Sequence, residues 1–206
     1  MPPNSPAPTS EKVHQDEQVS TDLDLNDLDF TDMFKVQELK ADAPLPPSGR
    51  VPEDILIGTQ ELTKGNCFIN MSRHRPKREI DVTKTTILIV EDDQATQHLL
   101  HMVLSGSGYQ TRCASDVAEF IVAMKKAPLP DLIILDIRLR GDVSGFKILT
   151  SIRSHLKLSS IPVIILSGQT EPADLMQAVS LGVDAYLSKP TKSKALIDSV
   201  QAALGG

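Results

Sequence analysis

The sequence predicts an α/β fold: a doubly wound parallel sheet of five strands, preceded by a largely disordered N-terminal segment. Five short apolar runs recur after Thr86, and each is followed by a segment whose apolar residues have helical spacing. Composition also changes near Thr85, because nine of the 14 prolines lie before it and the remainder is rich in aliphatic residues. About 120 residues follow, which is enough to bury a core.

Three of the five apolar runs are almost continuously aliphatic and β-branched, as expected of parallel strands that are covered on both faces. The candidate strands are Thr86–Val90, Tyr109–Ala114, Leu132–Leu135, Val163–Leu166 and Ala185–Leu187. Their alternation with helices predicts right-handed crossovers and three layers. A functional crevice is then expected at the carboxyl ends of the strands.

Each candidate helix carries a stripe of apolar residues at helical spacing. We expect Ser115 to cap the second helix and Pro172 to stand in the first turn of the fourth. The candidate helices are Gln94–Leu104, Asp116–Lys126, Phe146–His155, Ala173–Leu181 and Lys192–Leu204.

Residues 1–84 are predicted to be a disordered or weakly structured extension, because they are rich in proline and acids and poor in aliphatics. Within them, residues 22–39 alternate acids with large apolar side chains. This segment is either a solvated linker or a short motif that folds into a partner's groove. Two further segments, Asp54–Ile57 and Cys67–Met71, are long enough for short strands but cannot enclose a core. The basic cluster at residues 73–78 is interpreted as a solvated linker.

Charge and cysteine content exclude several classes of protein. Residues 1–84 hold 10 Lys and Arg against 15 Asp and Glu, and residues 85–206 hold 11 against 12, so no broad basic surface for nucleic acid is expected. Cys67 and Cys113 lack the spacing of a zinc or redox motif, which favours a reducing compartment. The sequence shows no signal peptide and no apolar run of membrane-spanning length, so we expect a cytoplasmic protein without membrane contact.

Polar and charged residues follow four of the five candidate strands. The first strand ends in Glu91, Asp92 and Asp93, the third in Asp136, the fourth in Ser167 and the fifth in Ser188 and Lys189. The topology brings these ends to one edge, where several carboxylates would repel each other without a hard cation, and Mg²⁺ suits oxygen ligands. A carboxylate, a metal, a lysine and a hydroxyl together suit phosphoryl transfer to Asp136.

Four segments carry a resemblance to a known family: ILIVEDD (87–93), DLIILDIRLRGDVSGF (131–146), PVIILSG (162–168) and AYLSKP (185–190). They resemble the strand-end motifs of bacterial response-regulator receiver domains, in the same order and at compatible spacing. The resemblance covers essentially all of residues 85–206. It implies a flavodoxin-like sheet with the strand order 2-1-3-4-5.

The resemblance also implies a role for each matching residue. Asp136 would be the phosphoacceptor, and Mg²⁺ would be bound by Glu91, Asp92, Asp136 and the backbone carbonyl of Arg138. Ser167 would be the switch hydroxyl that also contacts the phosphate, Tyr186 the aromatic residue that moves with it, and Lys189 the lysine that contacts the phosphate. The peptide before Pro190 is often cis in this family.

Simpler interpretations exist for single residues. Glu91 and Asp92 are also suited to capping a helix start, and Ser167 to a turn before Gly168. Tyr186 has core packing as an alternative role. The loop after Asp136 departs from the family pattern, because Arg140 stands where a proline is common and Gly145 comes one residue late. We expect Arg138 and Arg140 to affect the kinetics of the switch.

The leading hypothesis is a signalling switch that receives a phosphoryl group from a histidine kinase or a histidine phosphotransfer protein. The face formed by residues 173–204 would then be read by a downstream protein, with residues 22–39 as a possible second partner site. No DNA-binding domain is expected after Gly206. Two alternatives are a non-phosphorylated receiver-fold adaptor and a phosphatase with an aspartyl nucleophile, but Arg138 stands where the phosphatase class requires an acid.

Overall fold

A computed structural model of the chain describes residues 67–69, 79–140, 143–168 and 171–206. The predicted motif at 22–39, the candidate strand at 54–57 and the basic cluster at 73–78 lie outside the described residues. All five predicted parallel strands and all five predicted helices lie within them.

The described residues form one six-stranded sheet in the order β1-β6-β5-β4-β2-β3. The five strands from β2 to β6 pair in parallel and in the predicted order, so the fold class is confirmed. The sixth strand, β1, pairs antiparallel with β6 at the edge of the sheet. The strands are β1 (Cys67–Ile69), β2 (Thr86–Val90), β3 (Gln110–Ala114), β4 (Leu132–Asp136), β5 (Val163–Ser167) and β6 (Ala185–Ser188).

Five helices connect the parallel strands or follow the last of them, and their observed bounds lie within one or two residues of the predicted ones. The helices are α1 (Gln94–Gly106), α2 (Val117–Lys125), α3 (Gly145–Ser154), α4 (Pro172–Ser180) and α5 (Ser193–Leu204). Pro172 stands in the first turn of α4, as predicted.

The cap of α2 differs from the prediction, because Asp116 rather than Ser115 is the N-cap residue. The Asp116 side chain accepts a hydrogen bond from the Glu119 amide at 2.8 Å. Glu119 in turn accepts hydrogen bonds from the amide and the hydroxyl of Ser115, at 2.7 and 2.8 Å. Glu119, at the third helical position, thus bonds to Asp116 through its amide and to Ser115, the residue before the cap, through its carboxylate.

Hydrophobic cores lie on both faces of the sheet, because neighbouring residues of a strand point to opposite sides. On one face, Leu88 and Ile133 pack with side chains from α2, α3 and α4. On the other face, Ile87 and Ile134 pack with side chains from α1 and α5. The central strands are fully buried, which explains their continuous aliphatic sequences.

Strand β1 brings residues from before Thr85 into the sheet. Phe68 pairs in register with Tyr186 and is 8% exposed. The Cys67 thiol lies 3.0 Å from the hydroxyl of Ser199 on α5. Ile80 and Val82 also pack against the core on the α1 and α5 face. The contacts of the folded unit therefore begin N-terminal to the predicted boundary. Among the described residues, no helix combines the length and the apolar character needed to cross a membrane.

Candidate functional site

Three carboxylates meet at the carboxyl ends of the parallel strands. Glu91 and Asp92 directly follow β2, and Asp136 is the last residue of the neighbouring strand β4. Each residue offers one carboxylate oxygen such that the three atoms lie within 4.8 Å of one another. The topology therefore brings together the acids that the sequence placed at separate strand ends.

Lys189 lies between two of these carboxylates. It follows β6, and its Nζ is 2.6 Å from Glu91 Oε2 and 2.6 Å from Asp136 Oδ2. Burial alone would lower the pKa of Lys189, but the hydrogen bonds and charges of Asp136 and Glu91 outweigh it and raise the pKa. Lys189 is therefore a fixed cation at this site.

Glu91 is the most deeply buried acid of the cluster, with 1% of its surface exposed. Burial raises its pKa to about 7; the hydrogen bond from Lys189 works against this rise, and the charge of Asp136 adds to it. One lysine therefore does not fully compensate the negative charge of this pocket. The three carboxylates offer only oxygen atoms as metal ligands, and such ligands fit a hard divalent cation such as Mg²⁺.

Backbone groups hold the acids in position. The amide of Arg138 donates to Asp136 Oδ1 at 3.0 Å, and the amide of Asp93 donates to Glu91 Oε1 at 3.3 Å. Gly145, the first residue of α3, packs directly on the backbone after β4. A Cβ atom at Gly145 would lie 2.1 Å from the carbonyl oxygen of Asp136.

The role of the Arg138 backbone carbonyl as a metal ligand stays a prediction.

The loop after β4 places a second cation at the rim of the cluster. Arg140 Nε donates to Asp92 Oδ2 at 3.1 Å, although 78% of the Arg140 side chain is exposed. Gly141 and Asp142 of the same loop lie outside the described residues. The basic residue that replaces the expected proline thus contacts one of the predicted metal ligands.

Ser167 and Tyr186 lie beside this cluster on neighbouring strands. Ser167 is the buried last residue of β5, and Tyr186 is fully buried in β6. Burial raises the pKa of Tyr186 to about 12, while a hydrogen bond between its hydroxyl and the Ser167 side chain works in the opposite direction. Tyr186 is therefore a core residue that also contacts the predicted switch hydroxyl. The Lys189–Pro190 peptide is cis, the isomer that is common in the family that the sequence resembles.

Two residues at the site were missed from the sequence. Gln97, in the first turn of α1, donates through Nε2 to the carbonyl oxygens of Glu91 and Ala114, at 2.9 and 3.2 Å. Gln97 therefore holds the loop that carries Glu91 and Asp92 in place. The sequence signal that could have identified it is its position in the first turn of the helix that follows these acids. Phe68 lies in the candidate strand Cys67–Met71, but no local signal indicated that this strand pairs with β6 and brings Phe68 beside Tyr186.

Comparison with known proteins identifies relatives of the folded part. Residues 87–201 match the family model of the response regulator receiver domain. The transcriptional regulatory protein GltR of Pseudomonas aeruginosa is 38% identical over 119 residues, which cover 58% of this chain and 48% of GltR. The DNA-binding response regulator MtrA of Mycobacterium tuberculosis is 31% identical over 125 residues, covering 61% of this chain and 53% of MtrA.

Solved structures agree with these relatives. A putative response regulator from Chloroflexus aurantiacus superimposes with a TM-score of 0.55 at 30% identity, covering 59% of this chain and 98% of that one. The chain spans about half the length of the curated relatives that it matches. The similarity therefore concerns the part that carries the acidic cluster and not the remaining half of those relatives.

Proposed function

Because the chain belongs to the family of response regulator receiver domains, we propose that it is a phosphorylation-activated signalling switch with Asp136 as the phosphoacceptor. The observation that carries this proposal is the position of Asp136. Its carboxylate lies 2.6 Å from Lys189 Nζ and belongs to the cluster formed with Glu91 and Asp92.

Phosphoryl transfer requires the protein to form only one covalent bond. A carboxylate oxygen of Asp136 forms a bond to phosphorus while the P–N bond of a phosphohistidine donor breaks, and that electron pair stays on the imidazole nitrogen. The product is an acyl phosphate, which adds roughly two negative charges to the pocket. In this proposal Lys189 donates to a phosphoryl oxygen, and no general acid is required for the step.

The carboxylates of Glu91, Asp92 and Asp136, with the backbone carbonyl of Arg138, would hold a Mg²⁺ ion. When bound, that ion supplies positive charge that offsets the carboxylates and the phosphoryl oxygens. The pKa of about 7 for Glu91 supports this assignment, because the buried pocket favours either a proton or another cation on this group.

Phosphorylation of Asp136 is transmitted from the site to Tyr186 through Ser167. The Ser167 hydroxyl meets the phosphoryl group, and phosphorylation favours the buried position that Tyr186 occupies in the structure. The donor is a histidine kinase or a phosphotransfer protein in the cytoplasm, and a downstream protein reads the face formed by residues 173–204. The only chemistry we assign to the domain is its own phosphorylation and dephosphorylation.

Radiolabelled acetyl phosphate with Mg²⁺ tests this function directly. We expect the wild type to incorporate label, and we expect Asp136→Asn and the wild type in EDTA to incorporate none. Asp198→Asn removes a carboxylate from α5, where Asp198 pairs with exposed Lys194, and serves as the matched control that labels normally. Equal labelling of the wild type and Asp136→Asn would overturn the proposal.

A further inference from the structure

Strand β1 lies on the face through which we propose the switch to signal. It pairs with β6 through three register positions: Cys67 with Leu187, Phe68 with Tyr186, and Ile69 with Ala185. It also contacts α5 through Cys67 and Ser199. Part of the face formed by residues 173–204 is thus already covered by the chain's own N-terminal part.

A continuous series of contacts joins the acidic cluster to β1. Ser167 ends β5, the strand that pairs with β4 next to Asp136. Its side chain hydrogen-bonds to the hydroxyl of Tyr186 on the next strand. Tyr186 and Phe68 stand directly opposite each other on β6 and β1, so their side chains share one face of the sheet, and both belong to the same buried cluster.

We infer that β1 is part of the switch: its docking on β6 and the phosphorylation of Asp136 stabilise each other. This inference rests on the proposed function of Asp136. A strand that precedes Thr85 in the chain would then respond to the phosphorylation state.

The direction of the coupling follows from the position of Phe68. Tyr186 is fully buried while β1 is docked. A Tyr186 side chain that moved out of the core towards the sheet edge would meet Phe68 there. Docked β1 therefore favours the inward position of Tyr186, which the phosphorylated state also favours. Two events that favour the same conformation must favour each other.

The size of β1 makes its docking reversible. A three-residue strand has few hydrogen bonds, and Phe68 anchors it as a buried side chain. Elements with so few contacts open at a small cost in free energy. Their equilibrium can therefore be shifted by a ligand elsewhere. The simpler alternative is a permanent cover over the edge of the sheet, which phosphorylation would not affect.

The two cysteines of the chain lie on opposite edge strands of the sheet, so that the reactivity of Cys67 can report on β1 while Cys113 serves as a reference. Cys67 is in β1 and partly buried, whereas Cys113 is in β3 and exposed. In full-length Cys113→Ser protein, the rate of modification by a thiol reagent reports the opening of β1. Cys67→Ser protein, which retains Cys113, is the matched control. Beryllofluoride with Mg²⁺ serves as a non-covalent analogue of the aspartyl phosphate.

We expect beryllofluoride with Mg²⁺ to slow the modification of Cys67 by about fivefold or more, the usual lower range of coupling between two sites. The modification of Cys113 should not change, and Asp136→Asn should abolish the effect. An unchanged or faster modification of Cys67 in protein that is labelled at Asp136 by acetyl phosphate would overturn the inference alone. Absence of labelling would overturn the proposed function and the inference with it.

If beryllofluoride binding favours the docking of β1, then the docking of β1 must also favour beryllofluoride binding, and this second effect can be measured. Phe68→Ala should weaken the binding of beryllofluoride by up to the factor by which beryllofluoride protects Cys67, the full factor applying if the substitution undocks β1 completely, and Phe68→Leu should restore most of the affinity. If Phe68→Ala binds beryllofluoride like the wild type while remaining folded, β1 is only a cover for the sheet edge.

Discussion

At the scale of single residues, the ionisation of Glu91 conflicts with its buried surroundings. Burial raises its pKa to about 7 from an ordinary value of 4.5, so the folded protein holds this proton more tightly than the unfolded chain does. Lys189 stays protonated throughout this range, because its own pKa is raised. The cost of folding with an ionised Glu91 therefore appears as the pH increases.

In EDTA, the free energy of unfolding should fall by about 1–3 kcal/mol as the pH rises from about 4.5 through about 7. Glu91→Gln should remove most of this decrease and should be more stable than the wild type at pH 8. Urea unfolding at several pH values measures both effects. Glu79→Gln, at an exposed position, should keep the wild-type profile. A wild-type profile in Glu91→Gln would show that Glu91 is not the group responsible.

Arg140 competes for one of the proposed metal ligands. Its guanidinium contacts Asp92 at 3.1 Å from an exposed position, and exposed ion pairs contribute about 0.2–1 kcal/mol. Arg140→Ala should therefore tighten Mg²⁺ binding by about two- to fivefold, as measured by calorimetry at low salt. Lys157→Ala removes one positive charge from an exposed position outside the cluster and should change the affinity less. Weaker binding in Arg140→Ala would mean that the arginine orders the loop instead.

At the scale of elements, the contact between α3 and the end of β4 requires a glycine. A Cβ at Gly145 would lie 2.1 Å from the Asp136 carbonyl oxygen and 2.9 Å from the Ile137 Cα, and backbone atoms cannot yield as a flexible side chain can. Gly145→Ala should cost about 1–3 kcal/mol of stability and slow the labelling of Asp136. Urea unfolding and acetyl phosphate labelling measure the two effects.

Gly106, at the end of α1, is the matched control for Gly145. A Cβ there meets nothing within 4 Å. Gly106→Ala should leave stability unchanged or raise it by up to about 1 kcal/mol, because alanine favours helix. If the two alanine variants behaved alike, the close approach of α3 to Asp136 would have no energetic consequence.

The elements that sequence predicted well are those whose signal is local. Each buried parallel strand carries its own aliphatic run, and a strand-end residue such as Asp136 is located as soon as its strand is. The grouping of Glu91, Asp136 and Lys189 then follows from parallel topology alone. Their individual roles are still proposals that the labelling and binding experiments address.

The features that sequence missed depend on distant partners. The sequence offered Cys67–Met71 as a candidate strand, and Cys67–Ile69 forms β1, but no local signal indicates its pairing with β6, over 100 residues away. The contact between Arg140 and Asp92 likewise joins two loops that are 48 positions apart. The choice of Asp116 over Ser115 as a cap is local, but both residue types are good caps, and only the structure shows that the Glu119 amide donates to Asp116 while its carboxylate accepts from Ser115.

At the scale of the whole molecule, the two ends of the parallel strands have different charge chemistry. The carboxyl ends hold the acidic cluster, whose charges are incompletely compensated. At the amino ends, Arg153 donates to the carbonyl oxygens of Gly182, Ser159 and Ile161 and to Asp184 Oδ2, which also accepts from the Val163 amide. Arg153 and Asp184 are thus paired with each other and with backbone groups at this end, so that removing either one would leave the other uncompensated.

Removing Arg153 should therefore destabilise the molecule without impairing the site. Asp184 is 3% exposed, and a buried charge that loses its partner costs about 3–5 kcal/mol. Arg153→Met, which keeps much of the side-chain volume, should lower the urea midpoint by a corresponding amount. Its rate of labelling by acetyl phosphate should match the wild type under conditions in which both are folded. Lys194→Met breaks the exposed pair with Asp198 and should leave the midpoint unchanged. A slower labelling rate in folded Arg153→Met would show instead that the two ends of the sheet are coupled.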